Sequence, residues 1–344
     1  MVLEELTERE KQVFLAVVDT FVRTGEPVGS RYLARHYKLG ISPATIRNVM
    51  TDLEEKGLIT HPHTSAGRIP TDVGYRQYVD GLESVFPLTS EDKNAIVEQL
   101  SRFSQDVDTI VEKASRVLSN ISHQLGVALA PRFQKGMVEK IELVRLAESK
   151  ILFILSIKAG LVKTVIVEIN EALPQHLLET TNQLLNERLY GLTVSELKNS
   201  LKERFRDVDA QSKIVIDALQ AQSKNITTAY TTDIFHFAGA KNVLQNPEFS
   251  SGNKIGKIIE LIDRRDILVR VLSEHESEGV SIVIGDENQE DLMKNCSLIA
   301  TTYRYEDAIG TVGVIGPTRM QYDKIIALVH FMSETLGYLM GKSK

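Results

Sequence analysis

The sequence predicts a multidomain α+β protein, on three grounds. Its 344 residues amount to two or three domains at roughly 150 residues each. The first eighty residues hold three short capped helices followed by a strand and a turn-rich segment. From Met137 onward, β-branched runs, a helical stretch, more strands and a closing helix follow in turn, as suits an α+β domain holding an insert. Charged residues at 25% and hydrophobic ones at 42% exclude wholesale disorder. One cysteine, Cys296, excludes a disulfide scaffold and any four-cysteine metal site. No apolar run reaches the ~18 residues of a membrane helix, and Glu4, Glu5 and Thr7 are not a leader, so a cytoplasmic location is expected.

Thr7-Glu8-Arg9-Glu10 reads as a capping box that opens the first helix. Phe14, Val17, Val18 and Phe21 give it one apolar stripe, which stops near Thr24-Gly25. Ser30 is the expected N-cap of a second helix, Arg31 to Tyr37, burying Leu33 and Ala34. Lys38-Leu39-Gly40-Ile41 supplies the short turn. Ser42-Pro43 reads as N-cap and first residue of a third helix, closed by Gly57 after Lys56.

In the third helix Ile46, Val49, Met50 and Leu53 form the buried stripe. At 100° per residue, Ala44, Asn48 and Thr51 face the other way, with Thr45 and Arg47 on the flanks. A helix entering a major groove needs small residues for close approach, an amide for adenine and a guanidinium for guanine or phosphate. An ordinary solvated face carries acid–base pairs instead, and here acids stand only at the far end, in Asp52, Glu54 and Glu55. No acid lies between Glu26 and Asp52 or between Glu55 and Asp72. The net charge of −6 argues against a basic coat but allows such a local face.

Leu58-Ile59-Thr60 is a short strand, and His61 to Pro70 is a hairpin tip like the wing of a winged helix. An arginine there suits a narrow minor groove or a phosphate. The expected DNA-binding set is therefore Arg31 and Arg35 on the second helix, Ser42, Ala44, Thr45, Arg47, Asn48 and Thr51 on the third, and His63, Thr64, Ser65 and Arg68 on the wing. His61-x-His63 has no matching third ligand, so no metal is expected.

A connecting helix with Tyr75, Tyr78, Val79 and Leu82 ends before Phe86-Pro87. Ser90 then opens a long helical pattern to about Leu125, with Ile96, Leu100, Phe103, Val107, Ile110, Ala114, Val117 and Ile121 at alternating spacings of four and three. That seam fits a coiled coil or a helix on its own core, and a mixed role is expected. Val138–Leu146, Ile151–Ile157 and Leu161–Ile169 read as an antiparallel meander whose middle run is apolar but for Ser156, as for a strand covered on both faces. Helices are expected at Pro174–Arg188, Ser195–Phe205 and Asp209–Ala221. Strands return at Val280–Gly285, Ser297–Tyr305 and Ile309–Ile315, before a last helix from near Asp323.

No catalytic pattern emerges from this body. Gly252-x-x-x-Gly256-Lys257 is one residue short of a phosphate loop and lacks its Ser or Thr, so it reads as a helix start. Gly310, Gly313 and Gly316 fit close strand packing, and Cys296 a small hydrophobe. Asp106-x-Asp108 and Asp207-x-Asp209 read as solvated helix faces. Neither an enzyme nor a cofactor is expected.

The motifs Thr24-Gly25-Glu26-Pro27-Val28-Gly29-Ser30, Ala44-Thr45-Ile46-Arg47-Asn48, His63 to Thr71, Gly74-Tyr75-Arg76 and Gly310 to Tyr322 resemble those of the bacterial heat-inducible transcription repressor family HrcA. The resemblance covers essentially the whole chain and implies a dimeric repressor of chaperone operons on an inverted-repeat operator. It implies a winged helix-turn-helix at 1–88, a GAF-like domain at 89–170 and 253–344, and an inserted, largely helical dimerising domain at 171–252. It also implies a chaperonin as partner. The competing reading is a regulator whose GAF-like domain senses a small molecule; a winged helix used only for protein contacts is disfavoured by Arg47, Asn48 and Arg68.

Overall fold

The structure, a computed structural model, describes residues 6–62, 67–82, 88–101, 107–133, 136–158, 161–169, 173–223, 225–226, 233–250, 252–275, 279–306 and 308–341. It is an α+β protein whose chain divides into two compact units. The first holds Met1–Leu129, Phe235–Thr302 and Thr311–Leu336; the second holds Ala130–Ile234, Tyr303–Gly310 and Gly337–Lys344.

The first unit opens with α1 (Glu8–Thr24), α2 (Ser30–His36) and α3 (Pro43–Glu55), then β1 (Ile59–Thr60), β2 (Ile69–Pro70) and α4 (Asp72–Asp80). The capping box forms as read: Thr7 accepts from the Glu10 N–H, and the Glu10 carboxylate accepts from the Thr7 N–H at 2.8 Å. Phe14, Val17, Leu33, Ile46, Leu53, Leu58 and Ile59 make the core between α1, α2 and α3. Two details differ from the sequence reading. The N-cap of α2 is Gly29, not Ser30, and it gives no side-chain bond. Val28 pairs with Arg68 through two 2.8 Å backbone bonds, adding a third short strand segment beside β2.

Tight packing fixes α4 on this bundle. A Cβ at Gly74 would lie 2.0 Å from the Leu58 carbonyl oxygen, so only glycine lets α4 approach β1 so closely. Thr71 caps α4, accepting from the Gly74 N–H at 3.0 Å and donating to the Gly57 carbonyl at 2.7 Å.

The remainder of the first unit is built on a five-stranded sheet in the order β7-β3-β10-β9-β8. Its strands are β3 (Leu125–Leu129), β7 (Phe235–Ala238), β8 (Val280–Ile284), β9 (Cys296–Tyr305) and β10 (Ala308–Pro317), the facing ends of β9 and β10 passing into the second unit. Beside one face lie α10 (Ala240–Leu244), α11 (Gly252–Asp263) and α12 (Arg265–Glu274). Val243, Ile258, Leu261, Leu268 and Leu272 pack there with Val127, Leu298, Ile315 and the buried Cys296. Gly252 therefore opens a helix, as read. Burial pushes the Cys296 thiol up to about 12, the behaviour of a packed hydrophobe rather than a nucleophile.

The heptad seam is divided between α5 (Ser90–Ser101) and α6 (Val107–Ser122), which pack on each other, while α6 also covers β3 and β7. Ile96, Leu100, Ile110, Ala114 and Val117 are buried within this single chain, the core part of the expected mixed role, while Val107 and Ile121 are half-buried. Phe103 lies outside the described residues. The last helix, α13 (Tyr322–Gly341), buries Ile325, Leu328, Val329, Met332 and Leu336 as its stripe requires.

The second unit contains the meander β4 (Val138–Ala147), β5 (Lys150–Ile157) and β6 (Val162–Glu168), antiparallel throughout. With it are α7 (Gln175–Leu189), α8 (Val194–Arg204) and α9 (Ala210–Ala221). The meander and these helices, expected in separate domains, share one compact unit. Ile151, Phe153, Leu155 and Ile157 of β5 face the helices and are buried. Asn186 of α7 closes the edge of β4, accepting from the Ile141 N–H at 2.9 Å and donating to its carbonyl at 2.7 Å. The other face of the meander is open, which corrects the expectation of a strand covered on both sides. Val144, Leu152 and Ile166 form one cross-strand row on it, and Val144 and Ile166 are 43% and 55% exposed. Asp209 is exposed, as read, but stands at the N-cap of α9 rather than on a helix face, accepting from the Gln211 and Ser212 N–H groups. Asp207 pairs with Arg188, and Asp108 with His236 at 2.7 Å; Asp106 lies outside the described residues.

Candidate nucleic-acid interface

The second and third helices meet through a short turn, and α3 is anchored by Ile46, Val49, Met50 and Leu53. That anchoring leaves Ser42, Ala44, Arg47, Asn48 and Thr51 exposed, with Thr45 half-buried. Several of these hydroxyls are already engaged. Ser42 accepts from the Thr45 N–H at 3.1 Å and shares a 2.9 Å bond with its hydroxyl. Thr51 donates to the Arg47 carbonyl at 3.1 Å. The side chains with uncommitted donors on this face are Arg47 and Asn48, neither of which has an ion pair or side-chain hydrogen bond among the described residues. The first turn of α3 carries no acid, so the positive end of its dipole faces outward uncompensated.

Arg31 and Arg35 lie one turn apart on α2 and are exposed, without a carboxylate partner among the described residues. Lys38, in the turn, is exposed and unpaired in the same sense, though only its place in the acid-free window marks it in the sequence. Tyr32 and His36, four residues apart on α2, stack with centroids 4.0 Å apart, and both are exposed. Tyr37 pins the end of α2 to α1, donating to Asp19 at 2.6 Å and accepting from Thr20 at 3.1 Å.

The wing differs from a free arginine arm. Arg68 forms an ion pair with Glu54 at 2.7 Å and keeps 23% of its side chain exposed. Glu54 also binds His61, so it belongs to no solvated helix end. Burial works to raise the Glu54 carboxyl, but the His61 hydrogen bond and the Arg68 charge outweigh it and hold it below the usual carboxylate range. A Cβ at Gly67 would fall 2.5 Å from the Val28 carbonyl, so glycine is required where the wing returns past that strand segment. His63, Thr64 and Ser65 lie outside the described residues. Behind α3, Lys56 bonds Glu10 at 2.7 Å; that bond, with the Thr7 N–H, holds the Glu10 carboxyl at about 2. Among the described residues no group of three or more His, Cys, Asp or Glu could hold a metal, and no helix is long and apolar enough to cross a membrane.

Comparison with known proteins adds independent findings. A family model described as the HrcA protein C-terminal domain matches residues 108–326. A heat-inducible transcription repressor HrcA of Chlorobium phaeobacteroides is 36% identical over 355 aligned residues, covering 99% of this chain and 100% of that protein. One from Acetivibrio thermocellus is 37% identical over 346, covering 98% of each. Among solved structures, the crystal structure of a hypothetical protein at 2.2 Å resolution superposes with a TM-score of 0.69 at 23% identity, covering 98% of this chain and 100% of that one, so the fold is shared.

Proposed function

This chain belongs to the HrcA family, and from that premise we propose that it is a sequence-specific DNA-binding transcription repressor of heat-shock chaperone operons, acting as a homodimer on an inverted-repeat operator. The N-terminal helices and short strands are then a winged helix-turn-helix. In it α3 enters the major groove, while Arg31 and Arg35 neutralise phosphates beside it. The observation that carries this reading is the face of α3. It is small at Ala44, offers uncommitted donors at Arg47 and Asn48, and has no acid in its first turn. Arg68 contributes to the shape of the wing through Glu54 and, with part of its side chain still exposed, to phosphate or groove contact.

The five-stranded sheet with its helices is the GAF-like body of this reading, and the second unit its dimerising part. The open meander face supports a second copy as its occupant. Val144, Leu152 and Ile166 form one apolar row there, exposed at both ends and continued by Ile154 and Val162, while Glu142, Thr164, Lys140 and Ser156 complete the neighbouring rows. Symmetry then delivers two copies of α3 to two half-sites. The family resemblance adds a chaperonin as partner, and no catalysis is assigned.

The test is Asn48→Ala. An amide bridging adenine is worth about 1–3 kcal/mol of discrimination, so the variant is expected to lose about 5- to 150-fold on a duplex selected by the wild-type protein and little on random DNA. Equal loss on both duplexes would remove Asn48 from base reading.

A further inference from the structure

Two motifs remain without a role in this reading: Gly74-Tyr75-Arg76 in the N-terminal segment and Gly310 to Tyr322 near the other end of the chain. Apart from Gly310 both lie in the first compact unit, and there they converge on one seam between the DNA-reading bundle and the five-stranded body. Arg76 of α4 donates from Nε and Nη2 to the two carboxylate oxygens of Glu287, at 2.7 and 2.5 Å, and from Nη2 to the Ile282 carbonyl of β8 at 2.6 Å. Asp72, one turn earlier, accepts from the Asp286 N–H at 3.0 Å. At the other end of the bundle, Arg319 donates to the Val22 carbonyl in the last turn of α1 at 3.0 Å and to Glu248 at 2.6 Å. Between the two anchors the rings of Tyr75 and Tyr322 lie 5.8 Å apart, both buried. Tyr322 is fixed in turn, donating to the Thr318 carbonyl at 2.7 Å and bonded to Ser297 at 2.8 Å.

The arrangement is directional. A bidentate guanidinium–carboxylate pair fixes orientation as well as distance. A cation on the carbonyls ending a helix is favoured by the helix dipole. The two anchors hold α1 and α4, and α1 packs directly on α3. Two separated anchors leave only rotation about the line that joins them, and the buried Tyr75–Tyr322 contact opposes that.

We propose that Arg76, Asp72 and Arg319 are positioning residues that set the angle of α3 on the body, and thereby restrict the dimer to one spacing between half-sites. This rests on the dimeric DNA-reading function proposed above. Without these anchors only the Tyr75–Tyr322 contact and the chain that follows α4 hold the bundle, so each reader samples more orientations, and the effective concentration of the second reader at its half-site falls while becoming less sensitive to spacing. Binding to one half-site is unaffected, because none of the three residues lies on the α3 face.

The experiment uses the full chain and a half-site recovered by selecting random duplexes with the wild-type protein. Affinity is measured on duplexes whose two inverted half-sites are separated by one additional base pair at a time, across one helical turn. Wild type is expected to prefer one spacing by at least about tenfold over its neighbours, and Arg76→Ala and Arg319→Ala, made separately, to flatten that peak to within about threefold. Each is expected to bind an isolated half-site within about twofold of wild type and to keep the wild-type circular dichroism. Arg116→Ala, which breaks an exposed pair with Glu112 on α6, serves as the control with an unchanged profile. A wild-type spacing profile in both variants overturns the positioning role while leaving the DNA-reading function standing. Loss of half-site binding together with the peak also overturns it, since the residues would then be needed for the reader itself. A wild-type protein that selects no sequence overturns the function on which the inference rests.

Discussion

Removing Arg31 and Arg35 isolates the electrostatic part of the proposed interface. Both guanidiniums are exposed and have no carboxylate partner among the described residues, so replacement by alanine breaks no ion pair there. Each phosphate left without its arginine lowers the logarithmic salt slope of binding by about 0.9, hence by about 1.8 for one substitution present twice in a dimer. Raising salt fourfold, from about 50 to about 200 mM, therefore shrinks the deficit of Arg31→Ala or Arg35→Ala by roughly tenfold. Fluorescence anisotropy with a labelled operator duplex at five salt concentrations reads the slope directly. The loss should be equal on operator and random DNA, since phosphates carry no sequence. Arg264→Ala, which removes a cation already paired with Asp266 at 3.0 Å, is the control and should leave the slope unchanged. Slopes for Arg31→Ala and Arg35→Ala parallel to wild type would place both arginines in solvent and refute the docking assigned to α2.

Two further outcomes are expected. Glu10 falls from its ordinary value of 4.5 to about 2 in the folded chain, first through its Lys56 hydrogen bond and then through the Thr7 N–H. A depressed carboxylate stabilises the fold above the unfolded value and loses that contribution as pH drops from about 4.5 toward 2. Because Lys56 is 37% exposed, solvent reduces the effect to about 1–2 kcal/mol. Glu10→Gln should show that deficit in urea unfolding at pH 7 and little deficit near pH 2.5; a gap constant with pH would contradict the pairing. Ile166→Asp places a charge on the open meander face, where the side chain is 55% exposed in the single chain. It should fold with a Tm close to wild type yet scatter light as a monomer, and a variant that stays dimeric would put the second copy elsewhere.

The reading helix is legible in the sequence because its signals are local. Ser42-Pro43 sets its start, Lys56-Gly57 its end, and four apolar residues at helical spacing fix which side faces out. The meander is legible for the same reason: its runs are bounded by Ala147 to Lys150 and by Lys158 to Gly160. What stays hidden depends on partners distant in the chain. β3 and β7 do not stand out from their surroundings, because five apolar residues after a helix continue its pattern and Phe235–Ala238 is too short to show a period. Glu54 reads as solvated until Arg68 and His61 come round to meet it. Arg76 and Glu287 are 211 residues apart, and no local rule pairs them. Periodicity also cannot say how many faces of a strand are covered. The apolar run Ile151–Ile157 implies two, and one of them is open in the single chain.

The central claim is that two copies of this chain read two half-sites of one operator. Native mass measurement and titration on a duplex carrying the selected inverted repeat, against the same duplex with one half-site scrambled, test it together. The account predicts two protomers on the intact repeat and at least about 10³-fold weaker binding once a half-site is scrambled, down to the range of non-specific association. One protomer on the intact repeat, or equal affinity for both duplexes, would contradict it.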